Sequence, residues 1–123
     1  MPCALVVDDS RATRTVLARI LSQSGFETVQ AANGLEAMHT MEREVTSFDL
    51  VLLDWNMPVM DGIAFLVALR KESGGDSPMV IFCTTENDVE HITRAINAGA
   101  NEYIMKPFDR GIMEAKFHEV GLV

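Results

Sequence analysis

Leu50-Val51-Leu52-Leu53-Asp54-Trp55-Asn56-Met57-Pro58 is the stretch whose reading decides the fold. Four consecutive apolar residues without polar alternation fit a strand buried on both faces of a parallel sheet. Pro58 has no amide to continue a ladder, so the chain must open into a loop after Leu53, with Asp54 at the opening. A lone acid at a strand end is ordinary. Three further apolar runs end in comparable fashion, however: Cys3 to Val7 before Asp8-Asp9, Met79 to Cys83 before Thr84-Thr85, and Tyr103 to Met105 before Lys106.

Between these runs the apolar period changes to that of a helix. Val16/Ile20 and Leu17/Leu21 predict an apolar stripe over residues 11–24, with Ser10 or Asp9 as cap and Gly25 as terminator. Leu35, Met38, Met41 and Val45 predict a second helix after the Asn33-Gly34 turn, and Ile63, Leu66, Val67 and Leu69 a third, opened by Asp61-Gly62. Val89, Ile92 and Ile96 supply the inward stripe of a fourth, which starts near Glu86-Asn87-Asp88 and ends at Gly99. Met113, Phe117 and Val120 mark a short fifth. Glu27-Thr28-Val29-Gln30-Ala31 alternates and is less apolar than the other strands, so it suits a sheet edge. Residues 73–78 are a loop by composition.

Strand and helix therefore alternate about five times, which predicts an α/β fold: a doubly wound, five-stranded parallel sheet flanked by five helices. The flavodoxin-like strand order 2-1-3-4-5 fits best. It makes strands one and three neighbours at the switch point, where ligands bind outside the carboxyl ends of the strands. Asp8, Asp9, Asp54, Thr84 and Lys106 all belong to that rim.

The length of 123 residues fits one domain, residues 1–123, with no effector domain expected. A formal charge of -8 opposes the electrostatic footprint of a nucleic-acid or anionic-membrane binder. Cys3 and Cys83 lie inside apolar runs and make no disulfide framework, and no signal peptide or membrane span is visible. A reduced, cytoplasmic setting is expected.

Carboxylates converging on one crevice repel: two unit charges ~4 Å apart cost roughly 4 kcal/mol at an effective dielectric near 20. A hard cation with oxygen ligands relieves that repulsion, and Mg2+ is the expected ion, held by the side chains of Asp9 and Asp54 with Asp8 through water. An aspartate is also a nucleophile toward phosphoryl donors, and Asp54 is the central candidate. Lys106 and the Thr84 hydroxyl would meet the negative charge of the transferred group. Taken singly, Asp9 and Thr84 could be helix caps and Lys106 a solvated surface charge; four strand ends with complementary chemistry point instead to a site. His39, His91 and His118 fall in helices without a ligand pattern and read as surface residues, and Trp55 and the methionines as packing or rim residues rather than a cofactor box.

Competing motifs lack their parts. Asp54-x-Asn56 begins like a calcium loop but has Pro58 at the fifth position and Phe65 at the twelfth. No dinucleotide fingerprint, phosphate loop or serine elbow is present.

In combination, Val7-Asp8-Asp9-Ser10, the Asp54 block with Met60-Asp61-Gly62, Thr84, and Tyr103 with Lys106-Pro107-Phe108 resemble the receiver domain of bacterial two-component response regulators, over essentially the whole chain. The Asp54 block is especially similar to single-domain chemotaxis members of that family. The resemblance implies that Asp54 accepts a phosphoryl group from a histidine kinase or phosphotransfer protein, and that Asp8, Asp9, Asp54 and the backbone carbonyl of Asn56 hold Mg2+. It further implies that Lys106 and Thr84 contact the phosphoryl oxygens, that the Lys106-Pro107 peptide is cis, and that Asn56 and Glu86 tune dephosphorylation. Thr84 and Tyr103 would switch the face made by the fourth helix, fifth strand and fifth helix, which binds a protein target. A monomer, or a weak phosphorylation-dependent dimer, is expected. Thr85 departs from the small residue common at its position, and Gly111 and Gly121 weaken the last helix. The rival readings are a haloacid-dehalogenase-like aspartyl phosphatase, which normally carries a second Asp where this chain has Asn56, and an interaction domain indifferent to phosphorylation.

Overall fold

The computed structural model describes residues 2–43, 48–72, 78–85, 88–106 and 109–121. Strands β1 (Cys3–Val7), β2 (Glu27–Ala31), β3 (Leu50–Leu53), β4 (Met79–Thr84) and β5 (Glu102–Met105) alternate with helices α1 (Arg11–Gln23), α2 (Gly34–Arg43), α3 (Gly62–Lys71), α4 (Val89–Asn97) and α5 (Arg110–Glu119). The strands form one parallel sheet in the order β2-β1-β3-β4-β5, as the alternation predicts. The more polar β2 takes an edge. Its amide ladder needs a single neighbour there, so its solvent-facing residues cost little.

Every residue of β1 and β3 is buried, because helices cover both faces of the sheet. Side chains alternate between the two layers. Leu5, Val7, Val51, Leu53, Val80 and Phe82 pack with Ala37, Phe65, Leu66 and Leu69 on one face. Ala4, Val6, Leu50, Leu52 and Ile81 pack with Leu17, Leu21, Met113 and Phe117 on the other. Burial of each large side chain contributes roughly 1.5–3 kcal/mol, which is why the apolar runs rather than local propensity set the topology.

Helix ends follow their local chemistry. Ser10, Asp61, Asp88 and Asp109 each accept a bond from a first-turn amide, at Thr13, Ala64, His91 and Ile112 respectively. Gly25 and Gly99 adopt positive φ just past α1 and α4, as expected of terminators.

Five expected core positions are corrected. Val16, Leu35, Val67, Val89 and Ile96 are exposed, and in α2 the buried line runs through Gly34, Ala37 and Thr40, one step away from Leu35. In α1 and α3 the buried stripe runs through Leu17/Ile20/Leu21 and Phe65/Leu66/Leu69, and the adjacent Val16 and Val67 lie one helical step, about 100°, off it. Helix α4 buries Ala95 alone, because it crosses the short edge strand β5 and can bring only a narrow line of residues to the sheet. Val45 and the 73–77 part of the expected loop lie outside the described residues.

Candidate functional site

Parallel packing of β1 against β3 pairs Val7 with Leu53, so the residues that follow both strands emerge side by side. The Asp54 amide donates to the Val7 carbonyl at 2.9 Å, which fixes the two strand ends at the switch point. Ligand oxygens of Asp8, Asp9 and Asp54 lie within 4.8 Å of one another. Asp8 and Asp54 are buried, whereas Asp9 is exposed at the mouth.

Each buried carboxylate has assigned partners. Asp8 Oδ1 accepts from the Ser10 amide at 2.9 Å, and Oδ2 accepts from Lys106 Nζ at 2.7 Å. Asp54 Oδ1 accepts from the Trp55 amide at 2.9 Å and lies 3.7 Å from Lys106 Nζ. Lys106 reaches this position because its own amide donates to the Thr84 carbonyl at 2.8 Å, locking the end of β5 to the end of β4. One cation therefore serves two acids. Arg14 adds a bond from α1 to the Asp8 carbonyl at 2.7 Å.

The electrostatics show strain that one lysine does not remove. Burial, followed by the charge of Asp8, pushes the Asp54 carboxyl up to about 6; Lys106 and the Trp55 amide oppose this, and Asp9 adds to it. Desolvation pulls the Lys106 ammonium down, but its hydrogen bond to Asp8 and the charges of Asp54 and Asp8 outweigh that and leave it above its ordinary value. The donor set is oxygen-only and carries excess negative charge, so a divalent hard cation fits it. Cys83, by contrast, is pushed up to about 12 by burial, which makes it an inert packing thiol.

The loop after Asp54 is held by close approach. The Gly62 amide donates to the Trp55 carbonyl at 2.9 Å, and a Cβ at Gly62 would strike the Asp54 carbonyl oxygen and the Phe82 ring. Only glycine fits there. At the loop's tip, Val59 has φ 71° while the Met60 amide donates to the Pro58 carbonyl at 2.8 Å, a tight three-residue turn with a β-branched residue at its centre.

Thr84 is buried at the end of β4, and Tyr103 is half-buried on β5, with its ring 6.1 Å from that of Phe82. Asn56 is exposed in the loop, beside Trp55. Glu86 and the Lys106-Pro107 peptide, with Phe108, lie outside the described residues. The structure thus gathers Asp8, Asp9, Asp54 and Lys106 directly and sets Thr84 and Asn56 at the ends of the adjoining strands, whereas Tyr103 lies within β5, level with Phe82.

Sequence reasoning missed the surroundings of Trp55. His39 and His118 are exposed as expected, but His91 is half-buried, with its ring 4.8 Å from the indole, and Arg94 lies over the indole at 5.5 Å. The signal was a pair of basic residues spaced three apart on the helix after Thr84, which places both on one face. Among the described residues no helix is long and apolar enough to cross a membrane.

Fold and site together define a doubly wound α/β protein with an acidic, lysine-braced pocket at its switch point. Residues 4–118 match the family described as the response regulator receiver domain, and the chain belongs to that family. It is similar to chemotaxis protein CheY1 of Helicobacter pylori, with 34% identity over 117 residues that cover 94% of each chain. A CheY homolog of Campylobacter jejuni is 32% identical, covering 94% of this chain and 89% of its own. Among solved structures, chemotaxis protein CheY4 of Vibrio cholerae superposes with a TM-score of 0.90 at 32% identity, covering 98% of both chains. A CheX-CheY-BeF3-Mg2+ complex from Borrelia burgdorferi gives 0.89 at 30% identity, covering 97% of this chain and 88% of that one. A receiver domain is a regulatory domain rather than an enzyme with turnover as its purpose, and the family typically binds Mg2+ at an acidic pocket.

Proposed function

We propose that this chain is a cytoplasmic phospho-switch of a two-component relay, with Asp54 as phosphoacceptor. The observation that carries this reading is the convergence of three carboxylates within 4.8 Å of one another, with the Lys106 ammonium 2.7 Å from Asp8 and 3.7 Å from Asp54. Asp8, Asp9 and Asp54, with the Asn56 carbonyl, would hold Mg2+. When bound, the ion supplies positive charge against the acids and the phosphoryl oxygens.

The transfer follows from the chain's own groups. An Asp54 carboxylate oxygen forms a bond to phosphorus; the bond from phosphorus to the donor histidine nitrogen breaks, its electron pair stays on the imidazole, and that nitrogen takes up a proton. Lys106 neutralises the charge spread over the phosphoryl oxygens, and the Thr84 hydroxyl donates to one of them. Moving Thr84 inward frees space for Tyr103, and the face of α4, β5 and α5 changes its affinity for a protein target. Only contacts that differ between the two arrangements can bias that equilibrium. Asn56 and Glu86, next to the pocket residues in sequence, would set the lifetime of the acyl phosphate. Exposed Val89, Ile96, Met105 and Ile112 on that face supply apolar contacts for a target. The named CheX-CheY complex is a precedent for a receiver engaging a protein partner.

The test is incubation with labelled acetyl phosphate and Mg2+, followed beside hydrolysis of small phosphate esters. The switch reading expects incorporation that saturates at a single phosphoryl group per chain and decays without sustained ester turnover. Sustained steady-state hydrolysis would instead favour the phosphatase, and absence of label would favour the phosphorylation-independent interaction domain.

A further inference from the structure

Trp55 is the chain's single tryptophan, and it stands between Asp54 and α4. On its backbone side, the amide donates to Asp54 Oδ1, the oxygen that also faces Lys106. On its ring side, the indole packs at 5.2 Å from Phe82, meets the His91 imidazole edge-on at 4.8 Å, and carries the Arg94 guanidinium 5.5 Å from its centroid. His91 is pinned in turn by Asp88, the cap of α4, through a 2.7 Å contact from Nδ1 to Oδ2. Among the described residues Arg94 takes part in no ion pair, so the indole face is what its charge meets.

Among the described residues Ala95 is the one buried residue of α4, so the grip on Trp55 is a sizeable part of its attachment. A phosphoryl group on Asp54 would redistribute the donors around its carboxyl oxygens. Trp55 can follow that change only as far as Phe82 on one side and α4 on the other allow.

We propose that Arg94 and His91 are positioning residues that clasp the Trp55 ring and so tie the seating of α4 to the chemical state of Asp54, by a route separate from Thr84 and Tyr103. The inference rests on reading Asp54 as the phosphoacceptor. The clasp is taken to hold more tightly in the unmodified protein, whose contacts are those described; reciprocity then makes loosening it ease labelling of Asp54.

The experiment measures the acetyl phosphate concentration that gives half-maximal labelling of Asp54, with hydrogen exchange of α4 amides, in wild type, Arg94→Ala and Arg94→Lys. An exposed cation–π contact corresponds to roughly a two- to five-fold effect. Arg94→Ala is therefore expected to lower the half-point about two- to five-fold and to speed exchange along α4 while leaving β1 and β3 unchanged. Arg94→Lys is expected to fall between. In a Trp55→Leu background, Arg94→Ala should change nothing further, a result that a general loosening of the helix would not give. An unchanged half-point, unchanged α4 exchange, or a shift that persists in the Trp55→Leu background overturns the clasp. A wild-type protein that takes no label defeats the phosphoacceptor reading itself and the coupling with it, whereas labelled wild type with an unresponsive Arg94→Ala defeats the coupling alone.

Discussion

The β1/β3 end of the sheet and helix α4 divide the work of the molecule in opposite ways. All residues of β1 and β3 are buried, and the acids that follow them are fixed by backbone amides and one lysine. Helix α4 buries Ala95 alone and leaves Val89 79% and Ile96 47% exposed. Close packing lets the first region hold charges where they repel each other. Sparse packing leaves the second free to change its seating at small cost.

The sharpest way to break this contrast is to truncate a side chain in each region and read stability by urea unfolding. Leu53→Ala removes a fully buried side chain next to Asp54 and is expected to cost about 2–5 kcal/mol. Ile96→Ala on α4 is expected to stay within about 0.5 kcal/mol. Comparable losses at both positions would remove the distinction.

A slightly smaller effect tests whether the rim is strained. The Asp54 carboxyl sits at about 6 against an ordinary 3.8, so the folded protein resists an ionisation that the unfolded chain undergoes freely. Below pH 3.8 both states are protonated and no penalty applies; stability falls as pH rises from 3.8 toward 6, and the full penalty, on the order of 3 kcal/mol, remains above that. Asp54→Asn is therefore expected to raise the unfolding free energy at pH 7 by about 2–3 kcal/mol in metal-free buffer. The gain should vanish near pH 3. A variant less stable than wild type at pH 7 would mean that Asp54 is a net stabilising charge.

The smallest effect concerns the loop that joins the rim to α3. Val59 is 77% exposed and holds a positive φ that β-branched residues avoid. Val59→Asn, which tolerates that backbone, is expected to stabilise by about 1 kcal/mol without altering core packing. Thermal unfolding with an unchanged or lowered midpoint would place the strain elsewhere.

The two regions also differed in how far the sequence disclosed them. Continuous apolar runs ending in Asp8-Asp9, Asp54, Thr84 and Lys106 were enough to place the sheet and the rim, because a strand apolar on both faces must lie inside a covered parallel sheet and its first polar residue marks where it ends. Helix α4 was misread at Val89 and Ile96, since periodicity reports which residues share a face but not how much of that face a short edge strand can cover. The grip of Arg94 and His91 on Trp55 was hidden for a related reason. It depends on the angle at which α4 crosses the sheet, and no local pattern encodes that angle. Val59 carried no signal either, because nothing about valine announces a positive φ.

The proposed switch requires that Asp54 be the group that takes the phosphoryl group as an acyl phosphate. Peptide mapping by mass spectrometry after treatment with acetyl phosphate and Mg2+ tests this directly, in wild type and in Asp54→Ala. The expected result is a phosphoryl group on the peptide containing Asp54, dependent on Mg2+ and absent from Asp54→Ala. Label on another peptide, or equal label in the variant, would contradict the account.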